Sequence, residues 1–128
     1  MTTRNRRTVI LISRPSDELH GIRQTLEENR YAVHVVENIE SLNQVLADVS
    51  ADCVILDLDA LDVDNPTIRK LTIQFPQIYF LCMSKNRFHP ELKDAICYHI
   101  YACLTKPLDH DELLYWLRCI ENDVASPE

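Results

Sequence analysis

The sequence has one glycine in 128 residues, Gly21, and it falls inside a helical pattern. Dinucleotide fingerprints and P-loops need several glycines to bring backbone N–H groups against a phosphate, so nucleotide binding of those types is excluded. No run of 18 apolar residues occurs, which excludes a membrane-spanning helix. The opening MTTRNRRTVI is basic but lacks the apolar stretch of a secretory signal, and a cytoplasmic location is expected. Positive charge is scarce: 13 Lys and Arg stand against 20 Asp and Glu, a net charge of −7. Direct nucleic-acid binding is therefore not expected, because phosphate contacts need clustered cations. Arg4, Arg6 and Arg7 form a small basic patch at a terminus expected to be disordered over residues 1–6. The five cysteines are odd in number and contain no C-x-x-C, so neither a disulfide framework nor a zinc site is expected. Cys53, Cys82 and Cys103 lie in apolar runs and read as small hydrophobes in a reducing compartment.

What is present is a regular alternation. Short apolar runs recur at Val9–Ile12, Ala32–Val36, Cys53–Leu56, Ile78–Met83 and Ala102–Leu104. Between them apolar residues repeat at helical spacing: Leu19, Ile22 and Leu26; Ile39, Leu42, Val45, Leu46 and Val49; Ile68 and Leu71; Leu92, Ala95 and Ile96; and finally Leu113, Leu114, Leu117 and Ile120. Asn38 marks the start of the second helix, and Asp109 with Glu112 resembles a capping box for the last. Pro66 and Pro90 sit near the starts of the third and fourth, where a missing N–H does little harm. Strands alternating with helices imply an α/β fold with a parallel sheet covered on both faces. Right-handed crossovers and the chain length favour a flavodoxin-like, doubly wound, five-stranded sheet of order 2-1-3-4-5 with five helices. Residues 7–121 make one domain, and residues 122–128 read as a polar tail or the start of a linker.

The run CVILDLDAL, residues 53–61, drives an apolar strand into two carboxylates, Asp57 and Asp59. Ionised carboxylates are costly to bury unless something pairs with them. In the expected topology the carboxyl ends of strands one, three, four and five bring together Ser13-Arg14, Asp57, Ser84 and Lys106-Pro107. With DCVILDLD, Ser84 and CLTKPLDHDELL, the chain resembles the receiver domain of bacterial two-component response regulators over roughly residues 7 to 121. The resemblance implies that Asp57 is the phosphoacceptor and that Ser84 and Lys106 contact the phosphoryl oxygens. It also implies a signal carried by the loop after strand four to the face made by the last strand and its two flanking helices. A Mg²⁺ held by acidic groups would neutralise phosphoryl oxygens in such a site. The partners it implies are a sensor histidine kinase or other signalling protein, and an effector domain in cis or in trans.

The sequence departs from that pattern where the metal should sit. Ser13 and Arg14 stand where the family has two adjacent acids, a change of about three units of local charge. One charge pair 4 Å apart is worth about 4 kcal/mol at an effective dielectric of ~20, and Mg²⁺ needs near-octahedral oxygen ligands. Asp57 and Asp59 remain as residual ligands, so Mg²⁺ binding is expected to be weak and phosphorylation of Asp57 weak or absent. The carboxylates are expected to meet Lys106 and Arg14 in a salt-bridged site, with Asp17 and Glu18 too far along the first helix to substitute cleanly for the missing acids. The family's switch aromatic is Cys103 here, with Tyr101 two positions away and expected on the same side of the strand. Trp116, Tyr115, Tyr98 and the other late aromatics suggest an output or homodimer surface. No enzymatic activity is expected. The alternative is a phosphatase: VILDLDALD also resembles the nucleophile motif of haloacid-dehalogenase-type enzymes, with Asp57 as nucleophile and Asp59 as general acid/base.

Overall fold

The computed structural model describes residues 7–61, 65–85 and 101–125. Its elements run β1 (Arg7–Ile12), α1 (Asp17–Glu28), β2 (Tyr31–Val36), α2 (Ile39–Asp48), β3 (Cys53–Asp57), α3 (Asn65–Gln74), β4 (Tyr79–Ser84), β5 (Ala102–Thr105) and α4 (His110–Ala125). The strands form one parallel sheet of order β2-β1-β3-β4-β5, as expected. Four helices lie among the described residues. The helix expected around Leu92, Ala95 and Ile96, with Pro90, lies outside them, as do the terminus 1–6 and the late aromatics Phe88 and Tyr98. The last helix runs on to Ala125, past Glu121 where the domain was expected to end.

The period of two along each strand divides the core. Val9, Leu11, Val33, Cys53, Ile55, Leu81, Met83 and Leu104 pack with Leu19, Ile22 and Leu26 of α1 and with Leu113, Leu114, Leu117 and Ile120 of α4. Ile10, Ile12, Val36, Val54, Leu56, Phe80 and Cys82 pack on the other face with Leu42 of α2 and with Ile68 and Leu71 of α3. Every residue of β3, Asp57 included, is buried. That is why its sequence is continuously apolar rather than alternating.

The helix ends follow their side chains. Ser16 accepts the Leu19 N–H at 3.0 Å ahead of α1, and Asn38 accepts the Ser41 N–H at 2.8 Å ahead of α2. Asp109 accepts the N–H groups of Asp111 (2.9 Å) and Glu112 (3.2 Å), which supplies the capping half of the expected box. At the sheet's amino edge Asp52 takes the Thr8 N–H at 3.2 Å and pairs with Arg7 at 3.7 Å, while the Tyr31 hydroxyl donates to Glu121 of α4.

The aromatics form a chain. Tyr79 and Tyr101 meet edge to face at 5.2 Å between ring centroids, Tyr101 and Trp116 at 5.8 Å, and Trp116 and Tyr115 at 5.3 Å. One expectation fails here. Tyr101 packs on the α1/α4 face while Cys103 packs on the opposite one. Tyr101 precedes the first strand residue, Ala102, so the alternation of the pleat does not extend to it.

Two positions on α1 make opposite demands. A Cβ on Gly21 would meet only His110 Cε1, at 3.8 Å, an ordinary contact. Arg30, just past the helix, has φ 71°, the left-handed conformation that a side chain disfavours. Gly21→Ala is expected to stabilise the fold by about 1 kcal/mol, and Arg30→Gly by about as much. Arg30→Ala should give no such gain. Urea unfolding checks all three, and a loss of stability in Gly21→Ala or Arg30→Gly would contradict the local account.

Candidate functional site

Four strand ends build the site. β3 delivers Asp57, 5% exposed, to the carboxyl edge; β1 is followed by Ser13, 2% exposed; β4 ends at the fully buried Ser84. Beyond β5 the chain hydrogen-bonds back through the Lys106 N–H to the Ser84 carbonyl at 2.9 Å, and the Lys106-Pro107 peptide is cis. The Leu58 N–H to the Met83 carbonyl, 2.9 Å, holds the start of the β3–α3 loop against β4.

Every oxygen of Asp57 is engaged. Oδ2 accepts the Ser13 hydroxyl at 2.6 Å. Oδ1 accepts the Lys106 ammonium at 2.6 Å and the Asp59 N–H at 3.1 Å. The Lys106 side chain is only 10% exposed and stands among three carboxylates: Asp57, Asp59 at 3.4 Å and Glu18 at 3.9 Å. Burial pulls the Lys106 ammonium down, but the hydrogen bond and charge of Asp57, and then Asp59, outweigh it and hold the group above the usual lysine range. Asp59 is the outer member, with its side chain 25% exposed. Burial pushes its carboxyl up, but the Lys85 N–H, the Lys106 charge and the Ser84 hydroxyl together hold it below the usual range.

Asp57, Ser84 and Lys106 thus come together as the sequence reading expected, with Ser13 beside them. One site expectation needs correction. Arg14 forms no ion pair with Asp57 or Asp59; it is exposed and lines a surface hollow with Glu37, Asn38, Ile39, Glu40, Ala60 and Leu61. Ser13 turns inward to Asp57, and its neighbour is left on the outside. Glu18, weighed in the sequence only as a substitute for the missing acids, reaches the site as an ion-pair partner of Lys106. The helix begins directly after Ser16, and its first turn lays the Glu18 carboxylate over the carboxyl edge. There it also accepts the Leu108 N–H at 3.2 Å. Its place, two residues past the N-cap of a helix that starts just beyond β1, was the signal available in the sequence.

The donor set does not suit a divalent ion. Among the described residues no group of three or more His, Cys, Asp or Glu side chains could hold a metal. The oxygens of Asp57 face a hydroxyl and an ammonium, whereas Mg²⁺ requires oxygen ligands in near-octahedral array.

The ion network sets a pH window. Asp59, held down in the fold, contributes stability that is complete above the unfolded carboxyl range near pH ~4 and fades as pH falls through its lower folded value. Lys106, held up, contributes below roughly pH 10 and loses that contribution as pH rises through its folded value. Lys106→Met leaves the carboxylates without their cation and is expected to cost about 3 kcal/mol at pH 7. The deficit should shrink on acidification through the carboxylate range. Urea unfolding from pH 7 down to pH 3 checks this, and a deficit that stays constant would mean the three acids do not depend on Lys106.

The fold has counterparts among known proteins. A signal receiver domain of an HD domain-containing protein from Pseudomonas fluorescens Pf-5 superposes with a TM-score of 0.81 at 25% identity, covering 93% of this chain and 97% of that one. A two-component response regulator from Clostridium difficile superposes with a TM-score of 0.82 at 17% identity, covering 94% and 100%. RcsB from Salmonella enterica serovar Typhimurium, bound to a promoter in the presence of phosphomimetic BeF3−, gives 0.76 at 22% identity, covering 93% of this chain and 62% of that one. A search of curated proteins finds no match. The family model for the response regulator receiver domain matches residues 9–118, which take in most of β1, all of β2 to β5 and the Asp57, Ser84 and Lys106 positions, and the chain belongs to that family.

Proposed function

We propose that this receiver domain passes its signal through protein contacts, with Mg²⁺-dependent phosphorylation of Asp57 weak or absent. The observation that carries the reading is the Ser13 hydroxyl on Asp57 Oδ2 at 2.6 Å, at the end of β1 where the family resemblance places a metal-directed acid. Asp57 keeps the phosphoacceptor position, and Ser84 and Lys106 keep the phosphate-contacting ones. Each already has a partner inside the site. The input comes from a sensor histidine kinase or another signalling protein, and the output goes to an effector in cis or in trans. Tyr101, Trp116 and the 58%-exposed Tyr115 supply the contact surface, for an effector or a second copy. Cys103, at the switch position but on the opposite face, is too small to report a change as an aromatic would. The chain acts as a module of signalling in the cytoplasm, without enzymatic turnover or direct nucleic-acid contact. Nothing in the fold or the comparisons favours the phosphatase alternative. Asp59, which that reading needs as a mobile acid/base, is tied to Lys106, Ser84 and Lys85.

Titrating Mg²⁺ while following Trp116 fluorescence is expected to show no saturation below the millimolar range, and acetyl phosphate should leave Asp57 unmodified by intact mass. The double variant Ser13→Asp, Arg14→Asp should gain about tenfold or more in Mg²⁺ affinity, equivalent to one favourable interaction of about 1.4 kcal/mol. Sub-millimolar Mg²⁺ binding by the wild type, or its ready phosphorylation, would sink the reading. For the contact surface, sedimentation of the wild type, Tyr115→Glu and Trp116→Glu provides the test. An oligomer that both substitutions leave intact is held by another surface.

A further inference from the structure

The groups that would receive a phosphoryl in a receiver are already receiving an anion, and that anion belongs to the chain. Asp59 Oδ1 accepts the Ser84 hydroxyl at 3.3 Å. Its Oδ2 accepts the Lys85 N–H at 2.8 Å and lies 3.4 Å from the Lys106 ammonium. Donors from the ends of β4 and β5 thus converge on one carboxylate carried by the loop after β3. We propose that Asp59 is a built-in stand-in for the phosphoryl group, holding the start of the loop after β4 in its anion-engaged arrangement without any phosphodonor. The inference rests on the phosphorylation-independent reading and names how the site is regulated under it.

The local backbone explains how a residue two positions past the phosphoacceptor reaches that place. The N–H groups of Ala60 and Leu61 bond the Asp57 carbonyl at 3.2 and 3.1 Å, and the Asp59 N–H bonds Asp57 Oδ1 at 3.1 Å. This tight turn lifts Asp59 over the strand ends and leans its side chain toward β4. A carboxylate serving only solubility would turn to solvent. This one instead takes a backbone amide, the hydroxyl of a fully buried serine and the ammonium of a lysine whose side chain is 10% exposed. Charge-assisted bonds of this kind are short and strong. A phosphoryl group on Asp57 would bring about −1.5 to −2 charges beside Asp59 and compete for the same donors. Asp59 therefore both replaces the modification and stands in its way.

Amide hydrogen exchange read by NMR at neutral pH tests the assignment. In Asp59→Ala the Lys85 amide is expected to exchange about tenfold faster or more than in the wild type, with the Ser84 and Lys106 amides shifting in the same spectrum. Asp59→Asn, which keeps an acceptor oxygen and loses the charge, is expected to fall between them. A Lys85 exchange rate within about twofold of wild type in both variants would overturn the inference. Phosphoryl transfer to wild-type Asp57 from acetyl phosphate, followed separately by intact mass, would instead overturn the phosphorylation-independent reading. The two failures are thus distinguishable.

Discussion

The ion pair between Lys106 and Asp57 is the constraint on which the carboxyl edge depends. Neither group can be left in so enclosed a position without the other, because an uncompensated buried charge is far more costly than a paired one. The pair fixes the end of β5 against the end of β3 across the intervening β4. The Ser13 hydroxyl extends the bond to β1, and the Glu18 carboxylate extends it to α1 and, through the Leu108 N–H, to the approach to α4. One ammonium and one carboxylate thus tie together the ends of β1, β3 and β5 and the two helices of one face. The apolar layers beneath supply most of the driving force for collapse, while this polar layer fixes how the strand ends stand relative to one another.

The sheet and its covering were legible because both faces of a parallel sheet must be apolar while each helix needs only one apolar stripe. Runs such as CVIL and FLCM therefore read as strands, and Leu19, Ile22 and Leu26 read as a helix face. The convergence of Asp57, Ser84 and Lys106 was legible for a topological reason: in this sheet order residues at successive strand ends must be neighbours. Side-chain direction just outside an element was not legible. Arg14 and Tyr101 each lie one or two residues beyond a strand, where the pleat no longer dictates which way a residue points, and both went the other way from the expectation. The contact of Glu18 with Lys106 was not anticipated, because Glu18 was weighed only as a substitute for the missing acids. A helix rises only 1.5 Å per residue, so its first turn stays close to the strand that feeds it.

The substitution at the end of β1 and the engagement of Asp59 are two consequences of one change in charge. With Ser13 in place of an acid, the edge sets three carboxylates, Asp57, Asp59 and Glu18, around the single ammonium of Lys106, one negative charge fewer than an acid at position 13 would give. Additional acids would raise the local negative charge further and strengthen the pull on a metal ion. Without them the carboxylates turn to the donors already present: a hydroxyl, an amide and an ammonium. A site built to bind an ion and a phosphoryl group then becomes a closed network in which the chain supplies every anion and every donor. Under the proposed reading, such a network takes the place of the phosphodonor. Under the proposed reading, what varies is then the partner that meets the domain's surface, while the residues that ordinarily sense phosphorylation keep that surface in one shape.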